Sequence, residues 1–208
     1  MDKSAIIIAV DSNAKFGEDK AFLKLDDRPL LSYVIKTLKG SVEEIIVVVT
    51  SVEQTYSYRE IVPAAVRFEV CTGSDVGSLA AATKGLEGAQ GKYSLVLPFD
   101  SPFVSKEVLS LLFELSPGKS AVVPRWPNSE CEPLHAVYNT SLSLEASRKA
   151  MAAGETDLIS ILGCLHGVRY VSTLVIEQLD PDFRSFFRVK TPLDLKKAAV
   201  MIKSRKHQ

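Results

Sequence analysis

Two short segments of the sequence carry side chains that could bind a phosphorylated ligand. The first, Ala9–Lys20, follows an apolar run and contains Gly17 and the cations Lys15 and Lys20. The first loop after a strand of an α/β sheet commonly cradles phosphate, and a glycine there lets the backbone approach the ligand closely. Lys15 and Lys20 would neutralise a triphosphate in such a loop. On spacing alone, a solvated turn with two surface lysines is the better interpretation.

The second segment, Leu95–Val104, places Asp100 directly after an apolar strand and before Ser101 and Pro102. A carboxylate at this position suits Mg²⁺, which takes one or two protein oxygens and completes its shell with water and phosphate. An aspartate before a proline is also common in turns. The residues alone support the metal site and the turn about equally.

The elements that must position these residues alternate between strands and helices. Continuous β-branched runs at Ser4–Val10 and Glu44–Thr50 are typical of strands covered on both faces. Pro29–Lys39, between them, has apolar residues at helical spacing. The alternation predicts an α/β fold in three layers, with a mostly parallel, Rossmann-like sheet, helices on both faces, and a single domain over residues 1–208. Further strands are predicted at Arg67–Cys71, Tyr93–Leu97, Ser120–Pro124 and Val168–Val171, and further helices at Leu79–Leu86, Lys106–Leu115, Leu144–Ala152, Asp157–Cys164 and Pro192–Lys203.

The composition excludes several classes of protein. The 208 residues include 25 Lys and Arg against 25 Asp and Glu, and this balance argues against a dedicated nucleic-acid binder. No apolar stretch is long enough to span a bilayer, so no membrane partner is expected. Cys71, Cys131 and Cys164 lack metal-type spacing, which indicates reduced thiols and a cytoplasmic location. The basic tail Lys203–His207 is typical of a helix end rather than of a nucleic-acid site.

Six segments occur in the order and at the spacing of one enzyme family. They are Gly17–Phe22 (GEDKAF), Arg28–Leu31 (RPLL), Gly77–Ala81 (GSLAA), Asp100–Val104 (DSPFV), Glu132–Tyr138 (EPLHAVY) and Phe186–Leu195 (FFRVKTPLDL). With these segments the chain resembles, over nearly its whole length, the molybdenum cofactor guanylyltransferase family, of the molybdopterin-guanine dinucleotide biosynthesis protein A type. The resemblance implies the nucleotidyltransferase branch of the α/β fold.

The resemblance also implies a reaction, in which the terminal phosphate of molybdopterin attacks the α-phosphate of GTP and pyrophosphate is released. It implies Mg²⁺ as cofactor, GTP and molybdopterin as substrates, and molybdoenzymes or cofactor-delivery proteins as partners. The resemblance further implies that Lys20, Lys15 and Asp100 are catalytic and that Asp100 holds the metal. The implied nucleotide contacts are Ala9, Val10, Asp11, Gly17, Lys20, Ser51, Cys71 and Asp100, and the implied pterin contacts are Arg125, His135 and Arg188. For His135, a partly buried histidine with its hydrogen bonds satisfied is the better interpretation.

The sequence departs from the family pattern within the site. Val10 and Asp11 stand where the family has two loop glycines, and Arg188 and Lys190 stand where it has two asparagines. Lys190 cannot ligate a metal because an ammonium group has no lone pair, and we expect it to pair with Asp100 in the ligand-free protein. Three functions stay open: a guanylyltransferase with a rebuilt site, a non-catalytic nucleotide- or cofactor-binding relative, and a nucleotidyltransferase for another nucleotide or phosphate acceptor. The first is our prediction.

Overall fold

Strands and helices alternate along most of the chain. The computed structural model describes residues 1–10, 19–73 and 76–205. The strands are β1 (Lys3–Ile8), β2 (Lys24–Leu25), β3 (Arg28–Pro29), β4 (Glu44–Val49), β5 (Arg67–Val70), β6 (Tyr93–Pro98), β7 (Ala121–Arg125), β8 (Ala136–Asn139) and β9 (Val168–Ser172). The α-helices are α1 (Leu30–Leu38), α2 (Val52–Arg59), α3 (Ser78–Gly88), α4 (Lys106–Glu114), α5 (Thr140–Ala152), α6 (Thr173–Ile176) and α7 (Pro192–Arg205). Short 3₁₀ helices span Lys20–Phe22, Pro133–His135, Leu158–Cys164 and Arg184–Phe186.

Seven of the described strands form one sheet in the order β5-β4-β1-β6-β8-β7-β9, and β2 and β3 form a separate hairpin. Neighbouring strands of the sheet are parallel, except that β8 runs antiparallel to both β6 and β7. The predicted mostly parallel α/β fold is confirmed. Hydrophobic periodicity does not reveal the direction of a strand, so the reversal of β8 is visible only in the structure.

The side chains of β1 show how helices cover both faces of the sheet. Successive residues of a strand point to opposite faces. Ala5 and Ile7 belong to a buried cluster that includes side chains of α1 and α4, whereas Ile6 and Ile8 belong to a second cluster that includes side chains of α3 and α5. These two clusters explain why β1 is a continuous apolar run. None of the helices in the described part of the chain is long and apolar enough to cross a membrane.

The carboxyl ends of four parallel strands meet at one edge of the sheet. Hydrogen bonding between the strands continues beyond them, because Ala9 N donates to Val48 O at 2.9 Å, Phe99 N to Ile8 O at 3.2 Å and Cys71 N to Val49 O at 2.8 Å. The residues that follow β1, β4, β5 and β6 are therefore held side by side. Since β8 is reversed, its amino end comes to this same edge.

Several local elements differ from the sequence predictions. The segment predicted as a helix at Asp157–Cys164 is a 3₁₀ helix beginning at Leu158. The helix predicted from Leu144 begins at Thr140, where the preceding Asn139 side chain accepts a hydrogen bond from Leu142 N at 3.1 Å. Helix α2 was not predicted, because its sequence, VEQTYSYR, has no apolar periodicity.

Gly85 lets α3 lie close against the sheet, and this contact gives a stability prediction. A Cβ at position 85 would overlap Ile6 Cγ2 and lie 3.1 Å from Val48 Cγ2. We expect Gly85→Ala to lower the free energy of unfolding, because overpacking costs about 1–3 kcal/mol and the gain in helix propensity is at most about 1 kcal/mol. Urea unfolding measures the change. Gly163→Ala is the matched control, since a Cβ at position 163 meets nothing within 4 Å. Equal stability of the two variants would contradict the close contact.

Candidate functional site

A buried carboxylate, that of Asp100, lies just beyond the end of β6. Asp100 is 0% exposed, and Lys20 Nζ lies 2.9 Å from its Oδ2. On the other side, Arg188 Nε donates to Oδ1 at 2.7 Å and Arg188 Nη2 donates to Oδ2 at 3.3 Å. A buried carboxylate is costly unless it is paired and hydrogen-bonded. The two cations supply that compensation and are fixed by it in return.

Lys20 is held at Asp100 by its local structure as well as by charge. It begins the 3₁₀ helix Lys20–Phe22, whose N-cap residue Asp19 accepts a hydrogen bond from Ala21 N at 2.9 Å. Lys20 Nζ also lies 5.0 Å from the centroid of the Phe99 ring, and Lys20 is only 4% exposed. An aromatic face attracts an ammonium group. The cap, the ring and the carboxylate together fix the position of this cation.

Asp19 has partners on α2 that sequence reasoning did not identify. Tyr58 Oη lies 2.9 Å from both carboxylate oxygens of Asp19, and Gln54 Nε2 donates to Oδ2 at 3.2 Å. Burial first, and the charge of Asp19 second, raise the pKa of Tyr58, so the phenol stays protonated and donates. Gln54 and Tyr58 follow Asp19 by 35 and 39 positions in the sequence, and no motif predicts that they contact it.

His135 reaches the same edge because β8 is reversed. Ser101 Oγ and His135 Nε2 are 3.1 Å apart, and both residues are buried. Burial, and secondly the positive charge of Arg188, lower the pKa of His135 from 6.5 to about 3. The imidazole is therefore neutral near pH 7. Its Nε2 is the hydrogen-bonding partner of the segment after Asp100, whereas its Nδ1 is buried without a hydrogen-bond partner among the described residues. The histidine is therefore buried, as expected, but only one of its two ring nitrogens is satisfied.

The other predicted nucleotide contacts follow β1, β4 and β5. Ala9 is buried and Val10 is half-buried at the end of β1. Ser51 follows β4, and its hydroxyl accepts a hydrogen bond from a backbone N–H of α2 at 3.3 Å. Cys71 follows β5, and burial raises the pKa of its thiol. These four residues lie along one edge, whereas Asp11, Lys15 and Gly17 lie outside the described residues.

A cavity of about 460 Å³ adjoins the charged cluster. His135 and Arg188, two of the three predicted pterin contacts, line it, and the Phe186 ring packs edge-on against His135 with 5.3 Å between the ring centroids. Arg125, the third, does not line this cavity, and its guanidinium lies 5.1 Å from the centroid of the Tyr170 ring. The other lining residues are Glu132, Pro133, Leu134, Phe187, Lys190 and Asp194.

The predicted ion pair between Asp100 and Lys190 is wrong. The Lys190 side chain is exposed, and its backbone N–H donates to Asp194 Oδ2 at 3.2 Å, at the start of α7. Val189 is buried, and its N–H donates to the backbone oxygen of Asp100 at 2.9 Å. These backbone contacts bring Arg188 to the Asp100 carboxylate and turn Lys190 towards α7.

The donor set at Asp100 does not fit the Mg²⁺ ion that the resemblance implies. A Mg²⁺ ion needs oxygen atoms with lone pairs directed at it. Both oxygens of Asp100 already accept hydrogen bonds from Lys20 and Arg188. Within residues 1–10, 19–73 and 76–205, no three His, Cys, Asp or Glu side chains are grouped so that they could hold a metal ion. Among the described residues, the side chains that bind the Asp100 carboxylate are the cations Lys20 and Arg188, where a metal would need further oxygens.

The chain is similar to several known proteins in sequence and in structure. Residues 5–167 match the family described as the MobA-like NTP transferase domain. The chain is similar to the probable molybdenum cofactor guanylyltransferase of Methanosarcina mazei, with 30% identity over 201 residues covering 93% of this chain and 88% of that protein. It is also similar to the molybdenum cofactor guanylyltransferase of Desulfosudis oleivorans, with 30% identity over 97% of this chain and 96% of that protein. Molybdopterin-guanine dinucleotide biosynthesis protein A from Archaeoglobus fulgidus has a similar crystal structure, with a TM-score of 0.80 and 25% identity covering 97% and 99% of the two chains.

The buried His135 gives a prediction for acid stability. In the unfolded chain an imidazole takes up a proton as the pH falls through about 6.5, whereas folded His135 stays neutral down to a pKa of about 3. Between these values the unfolded state binds more protons, so the free energy of unfolding falls as the pH is lowered. This one group contributes at most about 1.4 kcal/mol per pH unit.

Urea unfolding across this pH window tests the prediction. We expect His135→Gln to reduce the slope of the unfolding free energy against pH. His166→Gln, the same change at an exposed position, is the matched control. A His135→Gln slope equal to the parent's would show that His135 titrates alike in both states.

Proposed function

The chain belongs to the MobA-like NTP transferase family, and we propose that it transfers GMP from GTP to the phosphate of molybdopterin. Two relatives named as molybdenum cofactor guanylyltransferases, each 30% identical and covering more than nine-tenths of this chain, support the proposal. The observation that carries it is the placement of Lys20 and Arg188 on buried Asp100, at the edge where the first loop leaves β1. Ligands of α/β sheets bind at this edge.

In the proposed reaction, an oxygen of the molybdopterin phosphate attacks the α-phosphorus of GTP. A new P–O bond forms, the bond from the α-phosphorus to the oxygen that bridges to the β-phosphate breaks, and pyrophosphate leaves with that electron pair. Transfer of this kind requires alignment of the reactants and neutralisation of phosphate charge more than covalent participation by the protein. We assign the neutralisation to Lys20 and Arg188. Asp100 orients both cations before the substrates arrive.

We propose the cavity beside Arg188 as the site for the pterin. Its volume, about 460 Å³, falls in the range of about 300–1,000 Å³ that is usual for small-molecule sites. The rings of His135 and Phe186 offer flat surfaces, and neutral His135 offers hydrogen bonding without charge. Arg188 contacts Asp100 and also lines the cavity. One guanidinium would therefore neutralise charge on both the acceptor phosphate and the transferred phosphate.

The remaining parts of the proposal concern the metal, the cellular location, the partner proteins and the nucleotide contacts. Mg²⁺ supplies charge neutralisation to phosphates in such reactions, and in this chain we give that role to the two cations on Asp100. We also propose a cytoplasmic location, in keeping with free cysteines at 71, 131 and 164, and molybdoenzymes or cofactor-delivery proteins as partners. The proposed nucleotide contacts are Ala9, Val10, Asp11, Lys15, Gly17, Lys20, Ser51, Cys71 and Asp100.

Calorimetric titration of the full chain with GTP, CTP and ATP, in buffer containing Mg²⁺, tests the nucleotide. We expect GTP to bind most tightly, and pyrophosphate to be released only when molybdopterin is added. Preference for CTP or ATP would point to another nucleotidyltransferase. Absence of binding at millimolar concentrations of all three nucleotides would overturn the proposed function.

Removal of the Lys20 charge gives a sharper prediction. Lys20→Gln keeps a polar side chain but loses the ammonium group beside Asp100. We expect pyrophosphate release to fall by about 10²-fold, since loss of one preorganised electrostatic contact to a transition state typically costs this much. Lys24→Gln is the matched control, because Lys24 is an exposed lysine of β2 four residues away. A Lys20→Gln variant as active as the parent would show that Lys20 does not contact the reacting phosphate.

A further inference from the structure

We propose that the guanidinium of Arg188 takes the place of a divalent cation beside Asp100, so that this chain binds its nucleoside triphosphate without a metal ion at that carboxylate. The inference rests on the proposed function only in its choice of GTP as the probe. Its physical basis is the contact of Arg188 with both oxygens of a carboxylate that is 0% exposed.

The contact between Arg188 and Asp100 has the geometry of a strong ion pair. Nε and Nη2 donate to different oxygens, at 2.7 and 3.3 Å, which is the two-point contact that a planar guanidinium makes with a carboxylate. Lys20 Nζ also donates a hydrogen bond to Asp100 Oδ2, at 2.9 Å. A divalent ion bound to Asp100 would have to displace Arg188 or lie within a few ångströms of two positive charges. Both alternatives oppose metal binding.

The backbone around Arg188 makes this contact a feature of the fold. Val189 is buried in a cluster with Leu23, Leu25 and Leu30, and its N–H donates to Asp100 O at 2.9 Å. Two residues further on, Thr191 N and Thr191 Oγ1 donate to Asp194 Oδ2 at 2.9 and 2.8 Å and fix the start of α7. Arg188 is thus anchored by main-chain contacts on its carboxyl side. A surface arginine that meets a carboxylate by chance would lack this support.

Arg188 also has access to a ligand. Its side chain is 22% exposed, whereas Asp100 is 0% exposed, and Arg188 lines the cavity of about 460 Å³. A guanidinium stays charged at any physiological pH and binds phosphate oxygens in the same two-point manner as carboxylates. Arg188 therefore presents a permanent positive charge between the buried carboxylate and the space for an anionic ligand, which is the electrostatic role of a bridging metal ion.

Mn²⁺ binding to the nucleotide-free protein, followed by electron paramagnetic resonance of the free ion, tests the occupancy of Asp100. We expect no saturable Mn²⁺ site in the parent. Arg188→Asn, which supplies an oxygen in place of the guanidinium, should create a saturable Mn²⁺ site at least about tenfold tighter than any binding that the parent shows over the same concentrations. Lys190→Asn is the matched control, because it makes the same change at an exposed side chain two residues away and should leave Mn²⁺ binding as in the parent. A parent site that Asp100→Asn abolishes would overturn the inference.

Calorimetry with GTP in EDTA and in Mg²⁺ tests the consequence and needs no variant, so it decides the matter even where Arg188→Asn fails to fold. We expect the parent to bind GTP in EDTA with an affinity within about tenfold of that in Mg²⁺. Binding that occurs only with Mg²⁺ would overturn the inference and leave the proposed function intact. Absence of GTP binding in both buffers would overturn the proposed function, and the Mn²⁺ titration would still decide what occupies Asp100.

Discussion

One buried carboxylate needs positively charged partners, and this need brings together segments that are far apart in the chain. Asp100 comes from the end of β6, Lys20 from a segment 80 residues earlier and Arg188 from a segment 88 residues later. Leaving a carboxylate unpaired in the interior costs several kcal/mol, whereas pairing it with hydrogen-bonded cations recovers most of this cost. The fold is therefore more stable when both cation-bearing segments are docked, and the contacts that add this stability also assemble the proposed phosphate site.

The direction of β8 is the second constraint on the site. A parallel strand at that position would bring its carboxyl end to the functional edge and leave its amino end at the opposite edge. Reversal of β8 instead brings His135 next to Ser101, one residue after Asp100. The neutral imidazole fills the space beside Arg188 without adding a third positive charge. The reversed strand thus closes the site with a hydrogen-bonding group in a place where a charged one would weaken the Arg188 pair.

Sequence reasoning could locate the carboxylate but not its partners, and the reason is physical. Asp100 follows a continuous apolar run, so local pattern alone places it at the end of a strand. Arg188 and Lys190 are two cations separated by one buried residue, and only the docking of Val189 and Asp194 determines which of them meets Asp100. The partnership of Asp19 with Tyr58 and Gln54 depends on a helix with no apolar periodicity. In each case, the missing information lies in contacts between segments far apart in the chain.

The exchange of a metal ion for a guanidinium changes what the site can regulate. A metal ion dissociates, so a site built on one responds to the concentration of that ion and is assembled only when the ion is bound. Arg188 is covalently attached and carries its charge throughout the physiological pH range. The ion pair between Arg188 and Asp100 forms before any ligand binds. A phosphate that binds the guanidinium must therefore compete with the Asp100 carboxylate. Binding of an anionic ligand should therefore be limited by the strength of this internal pair rather than by metal supply. The same pair would hold the site in one geometry at the cost of some affinity for phosphate.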